Sequence, residues 1–171
     1  PFHNLVLLLL LPPESAVINN FLAFGYFLTP IFFHHFFIVA TANSVLLTGA
    51  TPVLVDVNYD DMNISLDSIK HNITSKTKAV LVPHIYGQAC EMNKIKQICK
   101  KNKLFLIEDC AEAFGSYYRN KHVGTFGDVS TFSFFGSKTI TTGEGGMVVT
   151  NNYKIADKVE RLKMVGNDKE K

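Results

Sequence analysis

Tryptophan is absent from this chain, cysteine occurs only three times, and the first forty residues contain no lysine or arginine. Each shortage excludes something. Cys90, Cys99 and Cys110 are too few for a disulfide framework and match no zinc-ligand spacing, so they read as free thiols in a reducing compartment. Charge of neither sign dominates: 17 basic residues stand against 15 acidic ones, which removes the electrostatic footprint of a nucleic-acid binder. At 171 residues the chain can bury one real core and is too short for two ordinary domains.

The segment from Pro1 to Ala40 differs from everything after it. Glu14 is its one charged residue, and it holds eight of the 14 phenylalanines plus the apolar run Leu5 to Leu11. A secretory signal needs a basic stretch before its apolar run, and none is present. A membrane helix over Ala16 to Ala40 would be uncharged. It would also carry Asn19, Asn20, Pro30, His34 and His35 into the bilayer without basic residues before it, which argues against membrane attachment. Neither a period of 2 nor one of 3.6 persists here. The leading reading is a degenerate segment over residues 1–39, such as a shifted reading frame would produce, ahead of an organised domain over 40–171; a stretch of folded core is the other alternative.

From residue 40 the pattern becomes regular. Helices are expected at Ala40 to Gly49, Asp67 to Asn72, Glu91 to Asn102 and Lys154 to Val165. The third carries Met92, Ile95, Ile98 and Cys99 at helical spacing. Strands are expected at Pro52 to Val57, Lys78 to Pro83, Leu104 to Ile107, Val129 to Phe134 and Gly146 to Thr150. The run Leu104 to Ile107 is apolar throughout, as in a strand covered on both faces. Strands alternating with helices predict an α/β three-layer sandwich with a mostly parallel sheet.

The chemistry concentrates between Glu108 and Thr150. Ligands in such sheets sit beyond the carboxyl ends of strands, and Asp109 closes one. Lys138 lies between apolar and glycine-rich stretches rather than in a charge run. A carboxylate facing a ring nitrogen and an amine able to capture an aldehyde suit pyridoxal phosphate. Glu112 follows Asp109 by one helical turn, and Ser133 stands at a strand end where a hydroxyl could meet a phosphate. The competing structural reading makes Asp109 the cap of a short helix from Cys110, with Glu108 a solvated charge. Gly143-Glu-Gly-Gly146 matches neither the Walker nor the dinucleotide glycine pattern.

Six pieces occur in a recognisable order: Ala40-Thr-Ala-Asn-Ser-Val45, Gly49 to Asp56, Pro83-His-Ile-Tyr-Gly-Gln88, Glu108 to Gly115, Gly124-Thr-Phe-Gly-Asp128 and Ser133 to Gly146. Together they resemble the DegT/DnrJ/EryC1/StrS sugar-nucleotide aminotransferases over Ala40 to Gly166. The resemblance implies a fold-type-I pyridoxal-phosphate enzyme that moves the amino group of glutamate onto the 4-keto carbon of a nucleotide-linked 4-keto-6-deoxyhexose. It implies a cytoplasmic homodimer with sites formed across the two copies, serving polysaccharide synthesis and using no metal. By position, Lys138 would hold the cofactor covalently and carry the proton. Asp109 would pair with the ring nitrogen, Glu112 would lie near the ring oxygen, Ser133 would contact the phosphate and Asn43 would lie near the substrate. Relatives of this kind are about twice as long, so the resemblance also implies a missing domain after Asp168 and impaired activity. Pro1 to Val39 lacks the expected Gly-Thr helix start, and the expected stacking aromatic five residues before Asn43 is Ile38, with Phe37 one place off. The alternative is a non-catalytic fragment or partner chain of a full-length relative.

Overall fold

The structure, a computed structural model, describes residues 6–10 and 36–163, of which 6–10 and 36–39 are described by backbone alone. Its main sheet has six strands: β1 (Val6–Leu10), β2 (Thr51–Val55), β3 (Thr77–Pro83), β4 (Phe105–Asp109), β7 (Val129–Ser133) and β8 (Gly146–Val149), in the order β2-β1-β3-β4-β7-β8. A separate hairpin joins β5 (Tyr117–Tyr118) to β6 (Lys121–His122). Four helices accompany the strands: α1 (Phe36–Leu47), α2 (Leu66–Asn72), α3 (Met92–Asn102) and α4 (Tyr153–Lys163).

Strands β2, β3, β4 and β7 run in one direction, while β1 and β8 run against their neighbours. The expected α/β class and the prevailing strand direction are therefore observed. The regular stretches after residue 40 form elements within a few residues of their expected places. Four elements were not expected: β1, whose leucines carry no diagnostic period, the two-residue strands β5 and β6 of the hairpin, and a 3-10 turn at Ile85–Gly87. Residues 11–35, which hold most of the uncharged 16–40 stretch, lie outside the described residues, as does the chain beyond residue 163. No described helix is long and apolar enough to cross a membrane.

Period-2 alternation gives the sheet two cores. Ala79 and Leu81 of β3 join Val45 of α1, Ala50 and Ile107 on one face. Val80 and Val82 join Leu106, Ile69, Met92, Ile95 and Cys99 on the other, beneath α2 and α3. On α3, buried Met92, Ile95 and Cys99 recur at i, i+3 and i+7, with Lys94, Lys96, Lys100 and Lys101 exposed. Helix α2 begins at Ser65, whose hydroxyl accepts the Ser68 amide at 3.3 Å. All three cysteines are free and buried, and burial pushes the Cys90 and Cys99 thiols up to about 12, leaving them inert near neutral pH.

Candidate active site

Strand β4 ends in two acids, and the pleat sends them to opposite faces. Asp109 falls on the α1 side. Its Oδ2 accepts the Thr41 hydroxyl at 3.0 Å, and its Oδ1 accepts the Ala111 amide at 3.1 Å. The backbone around it is fixed as well. The Asp109 carbonyl accepts the His84 amide at 3.0 Å, and the Cys110 amide donates to Thr131 at 2.8 Å. No helix starts at Cys110, which opens a pair of turns, so Asp109 holds a turn rather than capping a helix.

Glu108 is not the solvated charge of the competing reading: it is 0% exposed. Its Oε1 accepts the amides of Phe126 at 2.7 Å and Gly127 at 2.6 Å, and its Oε2 accepts the Gly124 amide at 2.7 Å. His84 Nε2 adds a bond at 3.1 Å, and Nδ1 accepts the Cys90 amide at 3.2 Å, so the ring proton resides on Nε2. Burial alone would raise the Glu108 carboxyl, but the His84 bond and the Gly127 and Gly124 amides outweigh it and hold the group below the ordinary range. The loop carries glycines for a steric reason. A Cβ on Gly127 would lie 2.6 Å from the Leu106 carbonyl oxygen, and one on Gly124, at φ +85°, would lie 2.5 Å from the Phe132 ring. His84, Glu108 and Cys110 present donor atoms within 4.8 Å of one another. The carboxylate and both ring nitrogens are already committed to hydrogen bonds, so the cluster reads as a structural network rather than a metal centre.

Lys138 sits in the loop between β7 and β8, where its amide closes a turn onto the Phe135 carbonyl at 3.0 Å. The loop folds back through Phe134 amide to Gly145 carbonyl and Thr142 amide to Phe134 carbonyl bonds, each 3.0 Å. The Lys138 side chain is half-buried. Desolvation pushes its amine below the ordinary lysine range, while the negative charges of Glu112 and Asp109 partly oppose the shift. The amine therefore shares an electrostatic neighbourhood with both carboxylates. Glu112 is steered from elsewhere: its Oε2 accepts the Tyr86 amide at 2.9 Å, and Tyr86 adopts a left-handed φ of 52° to deliver it. Ser133 ends β7 half-buried, with its Oγ accepting the Phe135 amide at 3.4 Å.

Asn43 is exposed, and the residue of its motif that reaches Asp109 is Thr41. Two positions apart on a helix, the two side chains project about 200° from one another. Thr41, His84 and Tyr86 are the residues that sequence reasoning missed. Each lay inside a recognised motif, but motif membership does not say which side chain turns inward.

Residues 31–171 match the DegT/DnrJ/EryC1/StrS aminotransferase family. GDP-perosamine synthase of Escherichia coli O157:H7 is 53% identical over 128 residues, covering 75% of this chain and 35% of that protein. The solved structure of Helicobacter pylori PseC, an aminotransferase involved in the biosynthesis of pseudoaminic acid, is 37% identical with a TM-score of 0.71, covering 85% of this chain and 39% of that one. The E. coli GDP-4-keto-6-deoxy-D-mannose-3-dehydratase, solved with bound hydrated PLP, is 36% identical with a TM-score of 0.59, covering 62% and 27%. The chain thus spans about a third of the length of the curated relatives it matches. With its motifs in family order and its acids and lysine gathered at the carboxyl ends of the strands, this chain belongs to the DegT/DnrJ/EryC1/StrS aminotransferase family.

Proposed function

We propose that this chain forms the cofactor-holding part of a pyridoxal-phosphate-dependent 4-aminotransferase that moves the amino group of glutamate onto a GDP-linked 4-keto-6-deoxy sugar, as a GDP-perosamine synthase would. The observation that carries the reading is the half-buried Lys138 amine, depressed by desolvation and lying within the field of Asp109 and Glu112. When bound, pyridoxal phosphate supplies an aldehyde for capturing amines and a protonated ring that withdraws electrons from the reacting carbon.

The residues present suit that group. Thr41 and Ala111 each occupy one acceptor site on a different Asp109 oxygen, which leaves lone pairs on both for a ring N–H. Thr41 keeps that carboxylate oriented. Glu112, fixed through one oxygen by Tyr86, keeps Oε1 for the ring hydroxyl. Ser133 offers its hydroxyl to the phosphate, and Asn43 remains a candidate for the sugar side. The depressed Lys138 amine is neutral at a lower pH than an exposed lysine, which suits it to bond an aldehyde and then to carry a proton. A homodimer in the cytoplasm, with the remainder of the site coming from a second copy, belongs to the same proposal.

Incubation of the chain with pyridoxal phosphate, borohydride reduction and peptide mapping tests it. The expected label is on Lys138, with loss of labelling and of the visible absorbance band in Lys138→Ala. Labelling spread over surface lysines, or none retained after gel filtration, would instead favour a non-catalytic fragment.

A further inference from the structure

The sealed side of β4 is built more carefully than a stretch of core requires. We infer that Glu108 is a positioning residue: from the closed face of the strand it fixes the peptide that presents Asp109 to the open face. The inference rests on the assignment of Asp109 to the cofactor's ring nitrogen.

The bonds form a closed circuit. Glu108 receives three amides from residues 124–127 and the Nε2 proton of His84, while the backbone amide of the same His84 donates to the carbonyl of Asp109. His84 therefore holds both members of the acid pair, one through its ring and one through its main chain. The loop is tied back on the other side: the Asp128 amide donates to Leu106 carbonyl at 2.8 Å, and the Leu106 amide donates to Asp128 Oδ2 at 2.8 Å. Ser130, fully buried, anchors the Gly124 carbonyl at 2.6 Å.

Three N–H groups converging from one loop demand a group that only accepts, and an ionised carboxylate is such a group. A glutamine would set its own N–H₂ against one of those donors. With the circuit broken, the 108–109 peptide gains freedom, and the Asp109 side chain shifts on its bonds to Thr41 and Ala111. A displacement of a fraction of an ångström at the ring nitrogen is enough to weaken cofactor binding.

The test compares the full chain with Glu108→Gln, the milder Ser130→Ala and the distant core control Ile69→Val. The readout is the Ala111 amide, the one backbone proton donated to Asp109 Oδ1, followed by NMR shift and hydrogen exchange without cofactor. Glu108→Gln is expected to move the Ala111 resonance and speed its exchange about tenfold beyond the control, with Ser130→Ala smaller in the same direction. Pyridoxal-phosphate affinity is expected to fall about tenfold in Glu108→Gln and not in Ile69→Val. An Ala111 amide that responds in Glu108→Gln no more than in the control would overturn the inference, since the clamp would then serve only its own loop. Should Glu108→Gln fail to fold, an unmoved Ala111 amide in Ser130→Ala overturns it equally. If the parent chain binds no cofactor, the NMR arm still decides the positioning role, and the functional proposal alone falls.

Discussion

The two faces of β4 differ in how they treat a carboxylate. Glu108 is sealed and saturated by four donors, whereas Asp109, the next residue, is half-buried with one donor on each oxygen. Consecutive residues of one strand thus divide the labour: one acid completes a structure, and the other keeps capacity in reserve. The Lys138 loop belongs with the open face, for its backbone bonds are local and its amine is only half withdrawn from water. Where every acceptor is filled, the chain gains rigidity; where acceptors are left over, it keeps capacity for a further donor.

Removing the sealed acid should have the largest effect. Glu108→Ala leaves three buried amides and the His84 ring without their acceptor, and a loss of about 3–5 kcal/mol in urea unfolding is expected. A comparable substitution on the open face, Asp109→Ala, should cost no more than about 2 kcal/mol while abolishing cofactor retention. Equal losses would erase the contrast between the faces. Next in size is Gly127→Ala, whose added methyl meets the Leu106 carbonyl at 2.6 Å; calorimetry should show about 2 kcal/mol of destabilisation.

The same contrast appears in pH dependence. The folded Glu108 carboxyl lies below its unfolded value, so its contribution is complete above the ordinary carboxyl range near pH ~4.3 and is lost as pH falls through the depressed folded value. Chemical denaturation as a function of pH should show an acid-side loss in the parent that is smaller in Glu108→Gln, where the other carboxylates still contribute. On the open face, Thr41→Val removes one donor to Asp109 and should cost about 1 kcal/mol by urea denaturation, with weaker pyridoxal-phosphate binding. The smallest effect is expected at Lys138. Folding disfavours its charged form, so Lys138→Met should leave the melting temperature of the cofactor-free chain unchanged or slightly raised at neutral pH.

Much of this architecture is legible in the residues. The apolar stretch Leu104 to Ile107, the helical spacing of Met92, Ile95 and Cys99 and the motif order lead to the sheet, to α3 and to the family. The short helix that the competing reading places after Asp109 does not form: the Ala113 amide bonds the Cys110 carbonyl and the Ser116 amide bonds the Ala113 carbonyl, which closes separate turns instead of a continuing helix. Strand β1 is apolar throughout, as Leu104 to Ile107 is, but a run without a period fits a buried helix as well as a strand, and its place is set by pairing with β2 and β3. Asn43 rather than Thr41 stands out in the motif because position along a helix does not reveal which face the sheet will cover.

Taken alone, the amino-acid order determined most of the strands and helices after residue 40 and which acids and amine are available, since these depend on local period and residue chemistry. What each of those groups does was decided by packing. The pleat placed Glu108 and Asp109 on opposite faces, but only the seating of the 124–127 loop over one and α1 beside the other made the first an anchor and the second an acceptor with room to spare. That distinction arises from contacts between residues far apart in the chain, such as the 68-residue span between Thr41 and Asp109, which no local pattern encodes.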